Sequence, residues 1–280
     1  MKISVALCTY NGEKFLREQL NSILNQTCNV NEIIICDDNS SDETITIIQS
    51  FQDQFPDIIC LHQNIPGLGT IKNFEKAISL TTGDLIFLSD QDDIWSSEKV
   101  EKMSQNFNEN QRCLLLFSNG SLIDENGDEI KSTLWDKWGF DENLKSIWSD
   151  NKMAFKFLVE GVNKITGATV CFHKSLKKTI SPIDLPLNYW HDGWLGTNAA
   201  ALNGLFFIDE TLIKYRIHNN QQVGIYEKVP EIITLEANKK FITRDKYFYK
   251  LKKMYPYLNQ YFPYQKKNFL QRVLSKLFFL

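Results

Sequence analysis

Leu85-Ile86-Phe87-Leu88-Ser89-Asp90-Gln91-Asp92-Asp93-Ile94-Trp95 decides how this chain is read. A short apolar run carries the backbone into three carboxylates within four residues, the pattern of a buried strand whose end holds a cation. Hard divalent ions take oxygen ligands, and Mg²⁺ is commonly held by one or two carboxylates while phosphate oxygens of a substrate complete the shell. The segment points to a metal and diphosphate site, with an acidic solvated turn as the bland alternative. Its surroundings decide between the two.

Upstream, strands alternate with helices. Ile3 to Leu7 reads as a buried strand, Glu13 to Leu24 as an amphipathic helix, and Glu32 to Cys36 as a second strand. Ser41 or Asp42 supplies capping oxygens for a helix through Ile45, Ile47 and Ile48; a strand at Ile58 to His62 and a helix near Thr70 to Leu80 lead into Leu85 to Ser89. A βαβαβαβ order predicts an α/β fold with a mostly parallel, doubly wound sheet that binds ligands at the carboxyl ends of its strands. The polar clusters fall there: Thr9-Tyr10-Asn11, Asp37 to Ser40, Asn64 to Gly69 and Asp90 to Asp93. Neither a GxGxxG turn nor a P-loop lysine follows the first strand, which argues against dinucleotide oxidoreductases and Walker-type NTPases. An aspartyl-phosphate enzyme would carry its DxD after the first strand, where this chain has Thr9-Tyr10-Asn11.

With 280 residues, 43% of them hydrophobic and 23% charged, the chain can bury a large core as one domain or two intimate ones. Cys8, Cys28, Cys36, Cys60, Cys113 and Cys171 form no CxxC, which suits a reducing cytosol. The N-terminal apolar run is too short for a signal peptide, and no run reaches membrane-spanning length. The net charge of −3 hides an asymmetry: Lys239 to Leu280 holds eleven basic residues against one acidic residue, Asp245. In its last stretch Phe269, Leu270, Val273, Leu274, Leu277 and Phe278 alternate at helical spacing with Lys266, Lys267, Arg272 and Lys276. This basic amphipathic tail fits an anionic membrane surface, in competition with a helix that packs on the main domain and leaves a solvated basic face. Nucleic acid is a poor partner, since no nucleic-acid module precedes the tail.

Val5-Ala6-Leu7-Cys8-Thr9-Tyr10-Asn11, Ile33-Ile34-Ile35-Cys36-Asp37-Asp38-Asn39-Ser40-Ser41-Asp42 and Leu88-Ser89-Asp90-Gln91-Asp92-Asp93 resemble, in order and spacing, the signatures of family 2 glycosyltransferases with a GT-A fold. The resemblance covers roughly residues 1–225. Ser89 to Trp95 together with Tyr215-Arg216-Ile217-His218-Asn219 is similar to the rhamnosyltransferase-like branch that builds bacterial surface polysaccharides. It implies three segments: a nucleotide-sugar half at 1–105, an acceptor half at 106–225 and a helical tail at 226–280.

The family pattern implies roles residue by residue. Thr9, Tyr10 and Asn11 line the nucleotide pocket; Asp37 accepts from base or ribose, and Asp38 supports it or caps the turn. Asp90-Gln91-Asp92 takes the DXD position, with Asp90 near ribose or diphosphate and Asp92 on Mn²⁺ or Mg²⁺, while Asp93 serves there or caps the next helix. Lys72 and Asn73 face the donor sugar, with an exposed helix lysine as the alternative reading of Lys72. Gly167, within Asn163 to Phe172, lets substrate approach the backbone or simply makes a turn. Asp192, in Trp190-His191-Asp192-Gly193-Trp194-Leu195, stands where the family carries its catalytic base, in competition with an N-cap, and Trp190 and Trp194 are candidates for stacking on sugars. His218 is a further metal ligand or a structural histidine, and Arg216 has the planar geometry to contact the diphosphate. The implied activity is inverting transfer from a nucleoside diphosphate sugar to a glycan or lipid-linked acceptor at the cytoplasmic face of a membrane. A non-catalytic nucleotide-sugar or carbohydrate-binding scaffold is the rival reading.

Overall fold

A computed structural model describes residues 1–185, 189–219, 221 and 244–261. Its first part repeats strand and helix: β1 (Ile3–Thr9), α1 (Leu16–Leu24), β2 (Glu32–Asp37), α2 (Thr44–Gln54), β3 (Ile59–Gln63), α3 (Thr70–Leu80) and β4 (Leu85–Ser89). All seven residues of β1 and all five of β4 are buried, because helices cover both faces of the parallel sheet they share. The register sets Thr9 beside Asp37 and Leu7 beside Ser89, so the segments leaving β1, β2 and β4 emerge side by side. α1 starts later than its apolar pattern suggests, after a turn in which Phe15 and Leu16 donate to the Gly12 carbonyl. At the start of α2 the Asp42 carboxylate accepts from Thr44 N at 3.0 Å.

Beyond β4 come β5 (Ile94–Trp95), α4 (Lys99–Glu109), β6 (Leu115–Ile123), β7 (Glu129–Thr133), α5 (Leu134–Trp138), α6 (Glu142–Trp148), α7 (Asn151–Val159), β8 (Val170–His173), α8 (Lys177–Ile180), α9 (His191–Ala201) and β9 (Leu205–Arg216). One nine-stranded sheet runs β3-β2-β1-β4-β8-β6-β9-β5, with β7 paired to β6. β8 is antiparallel to both β4 and β6, and β5 is antiparallel to β9. The second part is therefore mixed where the first is parallel, and the sheet continues across the expected 105/106 division, which falls inside α4. The stretch from Asn163 is irregular up to Thr166, makes a 3₁₀ turn at Gly167–Thr169, and only then becomes β8.

Of the basic tail, α10 (Arg244–Met254) and α11 (Leu258–Tyr261) are described, whereas Phe269 to Phe278 lies outside the described residues. Tyr247, Leu251, Tyr255 and Leu258 are buried in the main core. Tyr255 Oη donates to Asn198 Oδ1 on α9 at 2.6 Å, and Lys250 pairs with Asp184 at 2.8 Å. This part of the tail packs on the domain. Among the described residues no helix is long and apolar enough to cross a membrane.

Candidate active site

A cleft of about 420 Å³ opens where β1, β2 and β4 end, and the 3₁₀ turn and the start of α9 close its far wall. At the nucleotide end the sequence pointed to Asp37 ahead of Asp38. The side chains divide the other way, since successive residues of an extended chain face opposite directions. Asp37 is fully buried and accepts from Thr9 Oγ1 at 2.8 Å, Ser40 N at 2.9 Å and Ser40 Oγ at 2.5 Å, so it ties two strand ends together. Asp38 lines the cleft, and its carboxylate gathers Leu68 N, Gly69 N and Asn64 Nδ2. Gly69, at φ +80°, occupies backbone space that disfavours side chains and lets the loop fold over that carboxylate.

Thr9 and Tyr10 line the cleft as expected, whereas Asn11 does not. Asn11 adopts φ +46°, its N–H donates to Ser40 Oγ, and its Oδ1 accepts from Ser41 N, which joins the β1 and β2 loops. Lys72 turns away: its ammonium pairs with Glu75 and donates to the Ile183 carbonyl at 3.0 Å. Its neighbour Asn73 faces the cleft and donates to the Cys36 carbonyl at 2.8 Å. Helical spacing fixes which of two adjacent residues points inward, and here it is Asn73.

After β4, Gln91 clamps the backbone of Tyr10 in both directions, accepting from its N–H at 2.7 Å and donating to its carbonyl at 3.0 Å. A Cβ on Gly12 would lie 2.3 Å from Gln91 Oε1, so the clamp needs that glycine. Asp92 Oδ2 lies 2.8 Å from His218 Nε2, and both side chains are largely buried. Among the described residues no group of three or more His, Cys, Asp or Glu side chains forms a metal cage. One carboxylate and one imidazole brought together nonetheless fit a divalent ion whose remaining positions come from a diphosphate, the usual economy of Mg²⁺ and Mn²⁺ sites. Asp93 caps no helix: it is fully buried, its Oδ1 accepts from Arg216 N at 3.1 Å, and its Oδ2 has no partner among the described residues.

Arg216 does not reach toward a diphosphate. Only 2% exposed, it donates to Glu18 Oε2, to the Asp92 carbonyl at 2.8 Å and to the carbonyls of Asp124 and Glu125, while its guanidinium lies over the Phe15 ring. It holds the Asp92 backbone in place.

The far wall belongs to α9. Its N-cap position is Trp190, so Asp192 sits inside the first turn, where Oδ1 accepts from Gly193 N at 2.5 Å and from Asn163 Nδ2 at 3.0 Å. Burial raises the pKa of Asp192 to about 6 against these hydrogen bonds. Burial, then the charges of Asp92 and Asp192, raise that of Asp90 to about 7. Lys99, fully buried, donates to the Ala168 carbonyl at 2.6 Å and supplies the cation behind this acidic cluster; burial lowers its pKa to about 7. Trp190 lines the cleft, whereas Trp194 is core and donates to the Ile180 carbonyl. A Cβ on Gly167 would meet His191 Nε2 at 3.0 Å, so the glycine makes room for a side chain as well as for any substrate.

Sequence reasoning passed over Lys99, Asn163 and His191. A lysine in the first turn of a helix reads as a surface residue, and only the tertiary structure, which sets its ammonium on the Ala168 carbonyl and over the Trp95 ring, buries Lys99. Asn163 was legible only as four residues before a glycine, although a carboxamide near a candidate base is a recurring arrangement for orienting a carboxylate.

A parallel α/β half, a mixed second half and a shared acidic cleft define a GT-A type domain. The sequence profile described as Glycosyl transferase family 2 matches residues 4–166, and the chain belongs to that family. It is 30% identical to a dTDP-rhamnosyl transferase, RfbG, of Shigella flexneri over 78% of this chain and 73% of that protein. An uncharacterized glycosyltransferase of Methanocaldococcus jannaschii is also 30% identical, over 89% and 84%. Another, of Nostoc sp., is 28% identical over 78% of this chain, which spans only 65% of that relative's length. Among solved structures, S. aureus TarS 1-349 in complex with UDP-GlcNAc superposes with a TM-score of 0.59 at 19% identity, over 79% of this chain and 60% of that one. Mannosyltransferase PcManGT from Pyrobaculum calidifontis, in complex with GDP-Man and Mn²⁺, gives 0.53 at 16%, over 75% and 55%. These likenesses establish the fold.

Proposed function

We propose that the chain is an inverting, divalent-metal-dependent glycosyltransferase that moves a sugar from a nucleoside diphosphate sugar to a hydroxyl of a glycan or lipid-linked acceptor in surface polysaccharide synthesis. The observation that carries this reading is one cleft with two acidic walls, Asp90 to Asp92 on one side and Asp192, with its pKa raised to about 6, on the other. RfbG makes a dTDP-linked rhamnose the first donor to test, and the nucleotide sugars bound by TarS and PcManGT supply the others.

Thr9, Tyr10 and Asp38 receive the nucleoside, with Asp37 and Asn11 fixing the loops that carry them. Asp92 and His218 would hold Mn²⁺ or Mg²⁺, which would supply positive charge against that developing on a departing diphosphate. Gln91 and Arg216 keep Asp92 in register with the end of β1. Asp192 accepts the proton of the acceptor hydroxyl as its oxygen bonds to the anomeric carbon; the bond to the β-phosphate oxygen breaks and its electron pair leaves on the diphosphate. Direct displacement inverts the anomeric centre. Work at the cytoplasmic face of a membrane, with residues 239–280 aiding contact with anionic lipid, completes the proposal.

The test is release of nucleoside diphosphate from dTDP-, UDP- and GDP-sugars, with Mn²⁺ or Mg²⁺ and with lipid-linked acceptor. Metal-dependent release from one base series that disappears in Asp192→Asn supports the reading. Tight donor binding with neither transfer nor hydrolysis in any series overturns it in favour of a scaffold.

A further inference from the structure

His191 lies 6% exposed at the cleft wall, and neither ring nitrogen has a hydrogen-bond partner among the described residues. A buried polar atom left unanswered costs about 1–3 kcal/mol, so two on one ring need an explanation. Burial pulls the imidazole pKa down to about 3, so the ring is neutral and offers one N–H donor and one lone pair. The ring does not rotate freely to find partners elsewhere: it stacks on Phe74 of α3 with centroids 4.1 Å apart and planes 18° apart. On its Nε2 side stands Gly167, where a Cβ would come within 3.0 Å of that nitrogen, so the glycine keeps the space beside it free of a side chain.

The chemistry of the missing partner follows from the ring. A diphosphate offers only acceptors and a cation only vacant coordination, whereas the N–H and the lone pair of a neutral imidazole, which point apart, can each be answered by a hydroxyl, since a hydroxyl accepts and donates. Aromatic faces beside it, Phe74, Trp138 and Trp190, suit the C–H faces of a pyranose. His191 directly precedes Asp192, so it adjoins the point where an acceptor hydroxyl is deprotonated, and it packs on the helix that rises from the Asp38 loop. The group bridging those two points is the transferred sugar.

We propose that His191 is a specificity-determining residue that hydrogen-bonds a hydroxyl of the sugar being transferred. The proposal rests on the glycosyltransferase reading above. It differs from a structural role because it acts on the sugar and leaves the nucleotide untouched.

The experiment is calorimetric titration of the full-length protein with UDP, dTDP and GDP and with their sugar conjugates, in Mn²⁺, for wild type, His191→Phe and His191→Asn. Phenylalanine keeps the ring volume and the stacking, and asparagine returns a donor and an acceptor. In the expected result His191→Phe binds the bare diphosphate as wild type does but shifts the affinity ratio about tenfold against the sugar conjugate, and His191→Asn recovers part of the loss. A donor lacking the recognised hydroxyl then binds wild type as weakly as the intact donor binds His191→Phe. An unchanged ratio, or equal losses for diphosphate and conjugate, overturns the assignment while leaving the function intact. Wild type that binds no nucleoside diphosphate in any series overturns the function and this assignment together.

Discussion

At the nucleotide end of the cleft the polar side chains are answered from within the protein: Asp37 by Thr9 and Ser40, Asp38 by Asn64, Leu68 and Gly69, Gln91 by Tyr10. At the far wall they are answered only in part. Neither ring nitrogen of His191 has a partner among the described residues, and Asp192, although it accepts from Gly193 N and Asn163 Nδ2, keeps a pKa raised by burial to about 6, as Asp90 across the cleft keeps one of about 7. The first arrangement builds a rigid frame; the second stores unfavourable burial that a ligand relieves. Catalytic groups belong to the second kind, since a base poised near the working pH must be held in surroundings that do not fully satisfy it.

Substitutions at Asp192 test this contrast most severely. Asp192→Asn should lower transfer by about 10³-fold while nucleoside diphosphate affinity stays within a factor of two. A loss of affinity as large as the loss of rate would make Asp192 part of the frame instead. Its pH signature has a fixed sign. The base works ionised, so turnover in wild type should fall tenfold per pH unit below about 6 and level off above. Because the folded-state pKa is raised, the stability this group contributes is present at acid pH and lost as pH rises through about 6. Asp192→Asn should therefore melt higher than wild type at pH 8, with the gap closing toward pH 4.

His218→Ala should abolish the extra thermal stabilisation that Mn²⁺ adds to a nucleoside diphosphate and lower turnover by about 10²-fold. An unchanged metal titration would return His218 to the frame. Arg216→Met is the opposite case. As a buried clasp on Asp92 and Glu18, its loss should destabilise the fold by about 3 kcal/mol in denaturant unfolding; a diphosphate ligand at this position would instead raise donor KM at unchanged stability. Tyr255→Phe is the mildest: loss of the hydroxyl bond to Asn198 should cost about 1 kcal/mol, and turnover should follow only as far as α9 loosens.

The alternation of apolar runs and amphipathic stretches in residues 1–89 was enough to read the parallel half, because a strand buried on both faces and a one-sided helix leave distinct periodicities. The acidic segment after β4 was legible for the same reason: polar groups that abruptly end a buried strand have to be at a strand end. The second half was less legible, since β8 and β9 join the same sheet from distant positions with mixed polarity, and no local pattern states which neighbour a strand will take. The tail's composition announced an amphipathic object but not its partner, and Tyr247 and Tyr255 turn out to face the core.

At the site, the sequence determined which chemistry is present: the carboxylates, the late histidine, and the glycines that let chains approach. Tertiary structure alone decided which side chain of each adjacent pair faces the cleft, Asp38 rather than Asp37, Asn73 rather than Lys72, and which polar groups are already spent on one another, as Arg216 is on Asp92. Direction and satisfaction depend on residues far apart in the chain, Gly12 with Gln91 and Gly167 with His191, so they exist only once the sheet has brought those residues together.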